Sequence, residues 1–274
     1  MTTIRARAVR RHLLAGPAIA ALGVLASGCT SLATAHVRAR KSPIVLVHGA
    51  WYGGWCWKKL TPLLEQAGHT VFAPTLTGLG DRAHQSRPDI DLEQHARDLV
   101  AMLDAEDLTD ATLVGHSYGG FVIAAVAPRA RPRLKQLIYL DAFVPDAGRC
   151  VVDYLLPLER RQAIVKAGEE TGFVAPIPPQ AHGVTDALDI AWITPRLARQ
   201  PFATFTQPMP LAAEGQAPLP RSYIACAQSA GGAFGPFAAR FRNDPGWRFR
   251  ELATGHNAMI IAPQLLARAL IELA

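Results

Sequence analysis

Short apolar runs separated by polar, glycine-containing loops recur along the chain after residue 43. The first run, Ile44-Val45-Leu46-Val47, is apolar throughout, which is typical of a parallel strand buried on both faces. On the same pattern the predicted strands are residues 44–47, 69–73, 111–114, 137–140, 221–227 and 247–252. Apolar residues at helical spacing predict helices over residues 55–66, 92–103, 121–126, 234–242 and 263–273. Strands that alternate with helices predict an α/β fold with a mostly parallel sheet.

One long segment departs from this alternation. Residues 146–218 contain nine prolines with short amphipathic pieces between them. A connection of this length without strong strand signals is typical of a functional insertion. We therefore predict a cap over residues 146–218, inserted into a single domain that covers residues 36–274.

The first 35 residues have the composition of an export signal. They contain four arginines and no Asp or Glu, followed by an apolar stretch over residues 13–26 that is too short to span a membrane. Arg10-Arg11 resembles a twin-arginine signal. Two cleavage sites fit, a lipobox that ends in Cys29 and a small-residue site that ends in Ala35. We expect an exported protein, periplasmic or extracellular, with lipidation of Cys29 as a candidate membrane anchor.

The charge of the chain gives no indication of a nucleic-acid partner. The formal net charge is +6, and four of the 28 basic residues belong to the predicted signal. The remainder carries 24 Lys and Arg against 22 Asp and Glu, which is close to balance. The four cysteines show neither Cys-x-x-Cys nor Cys/His spacing, so we predict no disulfide framework, no metal site and no cofactor.

The strongest chemical motif is Gly115-His116-Ser117-Tyr118-Gly119, between a predicted strand and a predicted helix. This G-x-S-x-G pattern is typical of a nucleophile elbow, in which small residues permit a sharp turn that exposes the serine. Ser117 is therefore the predicted nucleophile. The turn also directs the unpaired N–H groups of the following helix toward the serine.

A serine hydroxyl needs a general base, and His256 is the best candidate among nine histidines. His256 follows the last predicted strand, which places it at the same sheet edge as Ser117. His84 and His182, in loops, are not excluded by the sequence. An oxyanion hole in this arrangement uses the N–H after the nucleophile and one from an early strand-to-helix loop, which indicates Tyr118 and Ala50.

These motifs together resemble the α/β-hydrolase superfamily. The resemblance rests on residues 48–51, 53–55, 75–81, 115–120 and 255–256, and it runs from about residue 43 to the C-terminus. More narrowly, the chain is similar to the branch of plant methyl esterases, hydroxynitrile lyases and bacterial pyrethroid-hydrolase-like esterases. The resemblance implies an eight-stranded sheet, a helical cap and a serine triad in the order Ser, Asp, His.

The chain departs from the family at the acid. The family usually carries a carboxylate just after the penultimate strand, where this chain has Ser229. A serine cannot stabilise an imidazolium as a carboxylate does. Asp141, directly after the strand that follows the elbow helix, is the predicted partner of the histidine. Asp146 and Asp244 remain alternatives.

The same region bears on the type of reaction. Family hydroxynitrile lyases use a lysine beside the acid and a threonine near the first strand, where this chain has Ala230 and Gly49. We therefore predict a serine esterase that forms an acyl-enzyme on small, apolar ester substrates, with Trp51 and Phe143 as candidate pocket residues. Alternatives are a ligand-binding protein of the same fold without turnover, and a lyase or amidase. Four aromatic residues of the cap also suit an apolar pocket: Phe173, Trp192, Phe202 and Phe205.

Overall fold

A computed structural model describes residues 41–210, 218–229 and 233–274. Six strands form the central sheet: β1 (Ile44–Val47), β2 (Val71–Phe72), β3 (Ala111–His116), β4 (Leu134–Leu140), β7 (Arg221–Cys226) and β8 (Arg248–Leu252). They are all parallel, in the order β2-β1-β3-β4-β7-β8. β1 and β3 are buried along their whole length, as expected for parallel strands covered on both faces.

Nine α-helices lie in the described residues. They are α1 (Thr61–Gln66), α2 (Leu92–Ala105), α3 (Gly119–Val126), α4 (Leu158–Thr171), α5 (Ala187–Ile193), α6 (Ala203–Thr206), α7 (Gly235–Arg242), α8 (Ala258–Ile261) and α9 (Pro263–Leu273). α2 packs against α3, and α1 packs against α9. No helix among the described residues is long and apolar enough to cross a membrane. The predicted signal over residues 1–35 and Cys29 lie outside the described residues and stay predictions.

The predicted helix over residues 55–66 is wrong as a single element. The chain forms a 3-10 helix over Gly54–Trp57 and then the separate helix α1. Pro62 explains the break, because proline lacks an N–H and is tolerated only in the first turn of a helix. Pro62 is the second residue of α1. α8 was not predicted from the sequence. α4, α5 and α6 lie in the segment 146–218, for which no individual helix was predicted.

The parallel α/β architecture is confirmed, but the strand count differs from the eight that the resemblance implied. Six strands form the sheet in the described residues. Every predicted strand is present; β1 has the predicted bounds and the others have shifted ends. β3 runs on to His116 and β4 begins at Leu134, because polar residues such as His116 and Gln136 are also buried within these strands.

The segment 146–218, which we call the cap segment, lies between β4 and β7. Its described part contains α4, α5, α6 and a small antiparallel pair, β5 (Phe173–Val174) and β6 (Gln200–Pro201). Neither of these two strands joins the main sheet.

The strand order positions the functional residues. From β1 the chain moves to β2 on one side, and then returns to β3 on the other side of β1. In open α/β sheets, ligands bind at the carboxyl ends of strands where the order reverses in this way. The loops that follow β1 and β3 begin at His48 and Ser117, so this crevice lies between them.

Candidate active site

Ser117 occupies a tight turn between β3 and α3. Its φ angle is +54°, a left-handed conformation that is uncommon for residues other than glycine and often found at functional sites. The turn depends on close backbone approach. A Cβ on Gly115 would lie 2.5 Å from the carbonyl oxygen of Gly119, and one on Gly120 would lie 2.1 Å from that of Phe143. The glycines therefore allow the chain to present Ser117 at the sheet edge.

His256 and Asp141 form a buried pair. The Nδ1–H of His256 donates to Oδ2 of Asp141 over 2.7 Å, and both side chains are almost fully buried. This contact leaves Nε2 of His256 as the ring nitrogen that can accept a proton. The His116 Nε2–H donates to the backbone oxygen of His256 over 3.0 Å, which fixes the loop that carries His256.

Asp141 is held at the end of β4 by several donors. Its φ angle is +40°, and its N–H donates to the Ile224 carbonyl of the neighbouring strand over 2.7 Å. The Cys226 N–H donates to Oδ1 over 3.3 Å, and the Ser229 side chain also forms a hydrogen bond with the carboxylate. The residue that stands at the usual acid position thus supports the carboxylate of Asp141.

The two alternative carboxylates are engaged elsewhere. Asp146 is half exposed and forms an ion pair with Arg240 over 3.2 Å. Asp244 accepts the Gly246 N–H over 2.8 Å in a surface turn. Neither lines the cavity beside Ser117, so the structure brings only Asp141 of the three to His256.

Burial governs the charge state of the pair. Desolvation lowers the pKa of His256, and the positive charge of Arg160 lowers it further, so the resting imidazole is neutral. Burial raises the pKa of Asp141, while hydrogen bonds from Ser229 and from the Cys226 N–H oppose that rise. A neutral imidazole next to a hydrogen-bonded carboxyl group can accept a proton from a nearby hydroxyl.

Ser117 and His256 line one partly open cavity of about 210 Å³. Ala50 and Tyr118 also line it, and among the described residues neither of their N–H groups donates a hydrogen bond. Both are therefore free to bind an oxygen that enters the cavity. Most of the remaining wall is apolar: Trp51, Phe143, Val151, Leu155, Ile164, Ile177, Phe205 and Phe234.

Of the two loop histidines that the sequence left open, only His182 reaches the cavity. It lies on a 3-10 helix of the cap segment, with its ring centroid 5.1 Å from that of His256. Burial lowers its pKa to about 3, so it is uncharged. His84 is exposed and next to Gln85. No group of three or more His, Cys, Asp or Glu side chains in the described part of the chain is arranged as a metal site.

Comparison with known proteins assigns the fold to a family. The sequence profile described as "Alpha/beta hydrolase family" matches residues 44–269, which is most of the chain. The protein belongs to the alpha/beta hydrolase family. The match begins at β1 and ends within α9, so it includes the elbow, the cap segment and the His256 loop.

Relatives of this hydrolase include named esterases. It is 40% identical over 239 residues to a carbendazim hydrolyzing esterase from Nocardioides sp. (strain SG-4G), an alignment that covers 84% of this chain and 98% of the relative. It is 38% identical over 109 residues to Methylesterase 1 of Arabidopsis thaliana, covering 39% of this chain and 41% of that protein.

Among solved structures, the hydrolase resembles an extracellular alpha/beta-hydrolase from a Paenibacillus species. The TM-score is 0.75 at 22% sequence identity, covering 85% of this chain and 98% of the other. At this identity the likeness supports the fold alone.

Three residues of this hydrolase's site were not found from the sequence. Phe234 stacks on the His256 ring with centroids 4.7 Å apart, and the sequence placed it only at the start of a helix. Arg160, on α4, lines the cavity, and nothing in the polar surface pattern of that helix marks it. Ser229 was noted as a missing acid, but its hydrogen bond to Asp141 depends on the packing of β4 beside β7.

Proposed function

We propose that this protein hydrolyses carboxylic esters through Ser117, His256 and Asp141. The observation that carries the proposal is the buried hydrogen bond between His256 and Asp141, 2.7 Å long, whose histidine faces the same cavity as the elbow serine. A general base held by a buried carboxylate, facing the same cavity as the nucleophile, is the arrangement that activates a serine hydroxyl.

The first half of the reaction forms an acyl-enzyme. Ser117 Oγ attacks the ester carbonyl carbon while Nε2 of His256 takes the hydroxyl proton. The N–H groups of Ala50 and Tyr118 donate to the tetrahedral oxyanion. The bond to the alcohol oxygen then breaks, and the departing alcohol takes the proton from His256.

The second half regenerates the serine. Water enters the cavity, gives a proton to His256 and attacks the acyl carbon. The tetrahedral intermediate collapses, Ser117 recovers its proton and the carboxylic acid leaves. Asp141 keeps the proton of His256 on Nδ1 throughout and stabilises the transient imidazolium.

The chain is an ester-cleaving alpha/beta hydrolase, in agreement with its named esterase relatives. A cavity of about 210 Å³ with mostly apolar walls favours a small, apolar ester as substrate. The alternative of a binding protein without turnover rested on the absent carboxylate after β7. Asp141 approaches His256 from the adjacent strand β4, which removes the reason for that alternative.

Ser117→Ala tests the mechanism. We expect turnover of p-nitrophenyl acetate to fall by about 10⁴-fold or more, because removal of the nucleophile leaves only the residual rate from binding and the oxyanion donors. Steady-state rates on p-nitrophenyl acetate, butyrate and octanoate, and on carbendazim, would also rank the acyl groups.

The matched control is Ser222→Ala. Ser222 is fully buried on β7 and does not line the cavity, so its variant should retain turnover within about twofold. Wild-type rates in Ser117→Ala, with unchanged circular dichroism, would overturn the proposed mechanism.

A further inference from the structure

A buried hydrogen-bonded network of the cap segment reaches the loop that carries the candidate oxyanion residue Ala50. Its central members are Gln200 on β6 and Thr204 on α6, which are both 0% exposed. A buried amide or hydroxyl is costly unless it is hydrogen-bonded. Both side chains here are hydrogen-bonded, and their partners lead in two directions.

The first direction leads to the loop after β1. Gln200 Oε1 accepts the Trp51 N–H over 3.1 Å. Trp51 directly follows Ala50 and has a φ angle of +69°, which a tryptophan does not adopt without external support. The hydrogen bond supplies that support and restricts rotation of the backbone that presents the Ala50 N–H.

Every polar group of Trp51 is bound by the cap segment. Besides the contact with Gln200, its carbonyl accepts the Ala198 N–H over 2.9 Å. Its indole N–H donates to the Val174 carbonyl over 3.2 Å. The conformation of the loop that carries Ala50 therefore depends on the cap segment being in place.

The second direction leads back into the cap segment. Gln200 Nε2–H donates to Thr204 Oγ1 over 2.7 Å, and the Thr204 hydroxyl donates to the Pro201 carbonyl over 2.6 Å. Thr204 therefore fixes the orientation of the Gln200 amide, so that its oxygen faces the Trp51 N–H.

We propose that Gln200 is a positioning residue that holds the oxyanion hole in its active geometry by tying the Ala50–Trp51 backbone to the cap segment. Gln200 does not line the cavity, so it acts through this backbone and not on the substrate. This inference rests on the proposed function, because it assigns support to one of the two donors named there.

Gln200→Met tests this role, since it keeps the length of the side chain and removes both hydrogen bonds. We expect kcat on p-nitrophenyl acetate to fall by about 10- to 100-fold, less than the loss of a whole donor would cost, with KM changed by less than about threefold. We expect kcat to change more than KM because oxyanion donors act mainly in the transition state. The rate of labelling by a fluorophosphonate should fall with kcat.

Gln136→Met is the matched control. Gln136 is also a buried glutamine, but it lies on β4 and donates to Thr112 and to the Leu273 carbonyl, remote from the cavity lining. Its variant should lower the thermal midpoint to a similar extent and leave kcat within about twofold. A purely structural role for Gln200 would make the two variants alike.

Gln200→Glu provides the rescue. A buried glutamic acid is held neutral, so it still accepts from Trp51 N–H and donates to Thr204, and kcat should exceed that of Gln200→Met. If Gln200→Met fails to fold, Thr204→Val, which removes the hydrogen bond that orients the Gln200 amide and leaves Gln200 in place, should still lower kcat. Wild-type kcat in Gln200→Met or Thr204→Val, while Ser117→Ala is inactive, overturns this inference alone. Activity in Ser117→Ala would overturn the proposed function as well.

Discussion

At the scale of single residues, the pairing of β4 with β7 decides which carboxylate meets His256. β4 and β7 are adjacent, with Leu140 paired to Ile224, so the residues after these strands meet at one edge of the sheet. Asp141 follows β4, Ser229 follows β7, and the two side chains are hydrogen-bonded. A carboxylate at either place would lie near Nδ1 of His256.

This proximity predicts that the acid can be moved. Asp141→Asn should lower kcat by about 10⁴-fold, as loss of a buried acid does in serine hydrolases, because the histidine tautomer is no longer enforced. The double variant Asp141→Asn/Ser229→Asp should recover at least about tenfold of that loss. Steady-state kinetics on p-nitrophenyl acetate measure both effects.

Asp146→Asn serves as the control for the loss of a carboxylate. Asp146 is half exposed and pairs with Arg240 at the surface, so its removal should leave kcat nearly unchanged. Full activity in Asp141→Asn would mean that Asp141 is not the partner that His256 requires.

At the scale of elements, the β3–α3 turn is held by backbone contacts that exclude side chains. The start of α3 lies against the loop after β1 and the loop after β4. A Cβ on Gly119 would lie 2.6 Å from the Val47 carbonyl oxygen, and one on Gly120 would lie 2.1 Å from the Phe143 carbonyl oxygen. Real Cβ atoms do not approach backbone this closely. Gly119 and Gly120 therefore allow the start of α3 to pack directly against the end of β1 and the loop after β4.

Gly120→Ala should therefore destabilise the protein. We expect the free energy of unfolding to fall by about 1–3 kcal/mol or more, the usual cost of forcing an extra methyl group into a packed site. Urea denaturation followed by circular dichroism measures the change. Esterase activity should fall with it, because the turn that presents Ser117 is displaced.

Gly235→Ala is the appropriate comparison. Gly235 begins α7, and a methyl group added there would meet no atom within 4 Å, so its replacement should leave the unfolding midpoint unchanged or raise it slightly. Equal destabilisation by both variants would show that helix position, and not the close approach, determines the cost.

At the scale of the whole molecule, several histidines are buried in uncharged form. Burial lowers the pKa of His48 and His95 to about 4 each, and that of His182 to about 3. Burial also lowers the pKa values of His116 and His256. In the unfolded chain these histidines have a pKa of about 6.5. Below that pH the unfolded state therefore binds more protons than the folded state.

This difference predicts loss of stability in mild acid. A group with a lowered folded pKa stabilises the protein fully above its unfolded pKa, and this contribution is lost as the pH falls toward the folded value. The free energy of unfolding should thus decrease between about pH 6.5 and pH 4, by up to about 1.4 kcal/mol per pH unit for each histidine. The pKa of Asp141 is raised to about 6, so protonation of this carboxyl group stabilises the folded state as the pH falls. This single group offsets only part of the loss that the histidines cause.

Chemical denaturation at pH 7.5, 6.0 and 5.0 measures the dependence. His48→Gln should flatten it, since this variant removes one of the groups that titrates only on unfolding. A free energy of unfolding that stays constant or increases from pH 7 to pH 5 would contradict the prediction.

The sequence by itself determined the parallel α/β architecture, the order of the motifs along the chain and the candidates Ser117 and His256. These depend on local signals, namely apolar runs, glycine spacing and the position of a residue after a strand. Such signals operate within a few residues and do not require knowledge of the fold.

Only the tertiary structure decided which carboxylate meets His256, which loop histidine enters the cavity and how the cap segment holds Trp51. Asp141 and His256 are 115 residues apart in the chain, and Trp51 and Gln200 are 149 apart. Contacts of that separation arise from the packing of whole elements, to which no local pattern corresponds. The sequence therefore supplied candidates for the site, and the pairing of β4 with β7 and the seating of the cap segment selected among them.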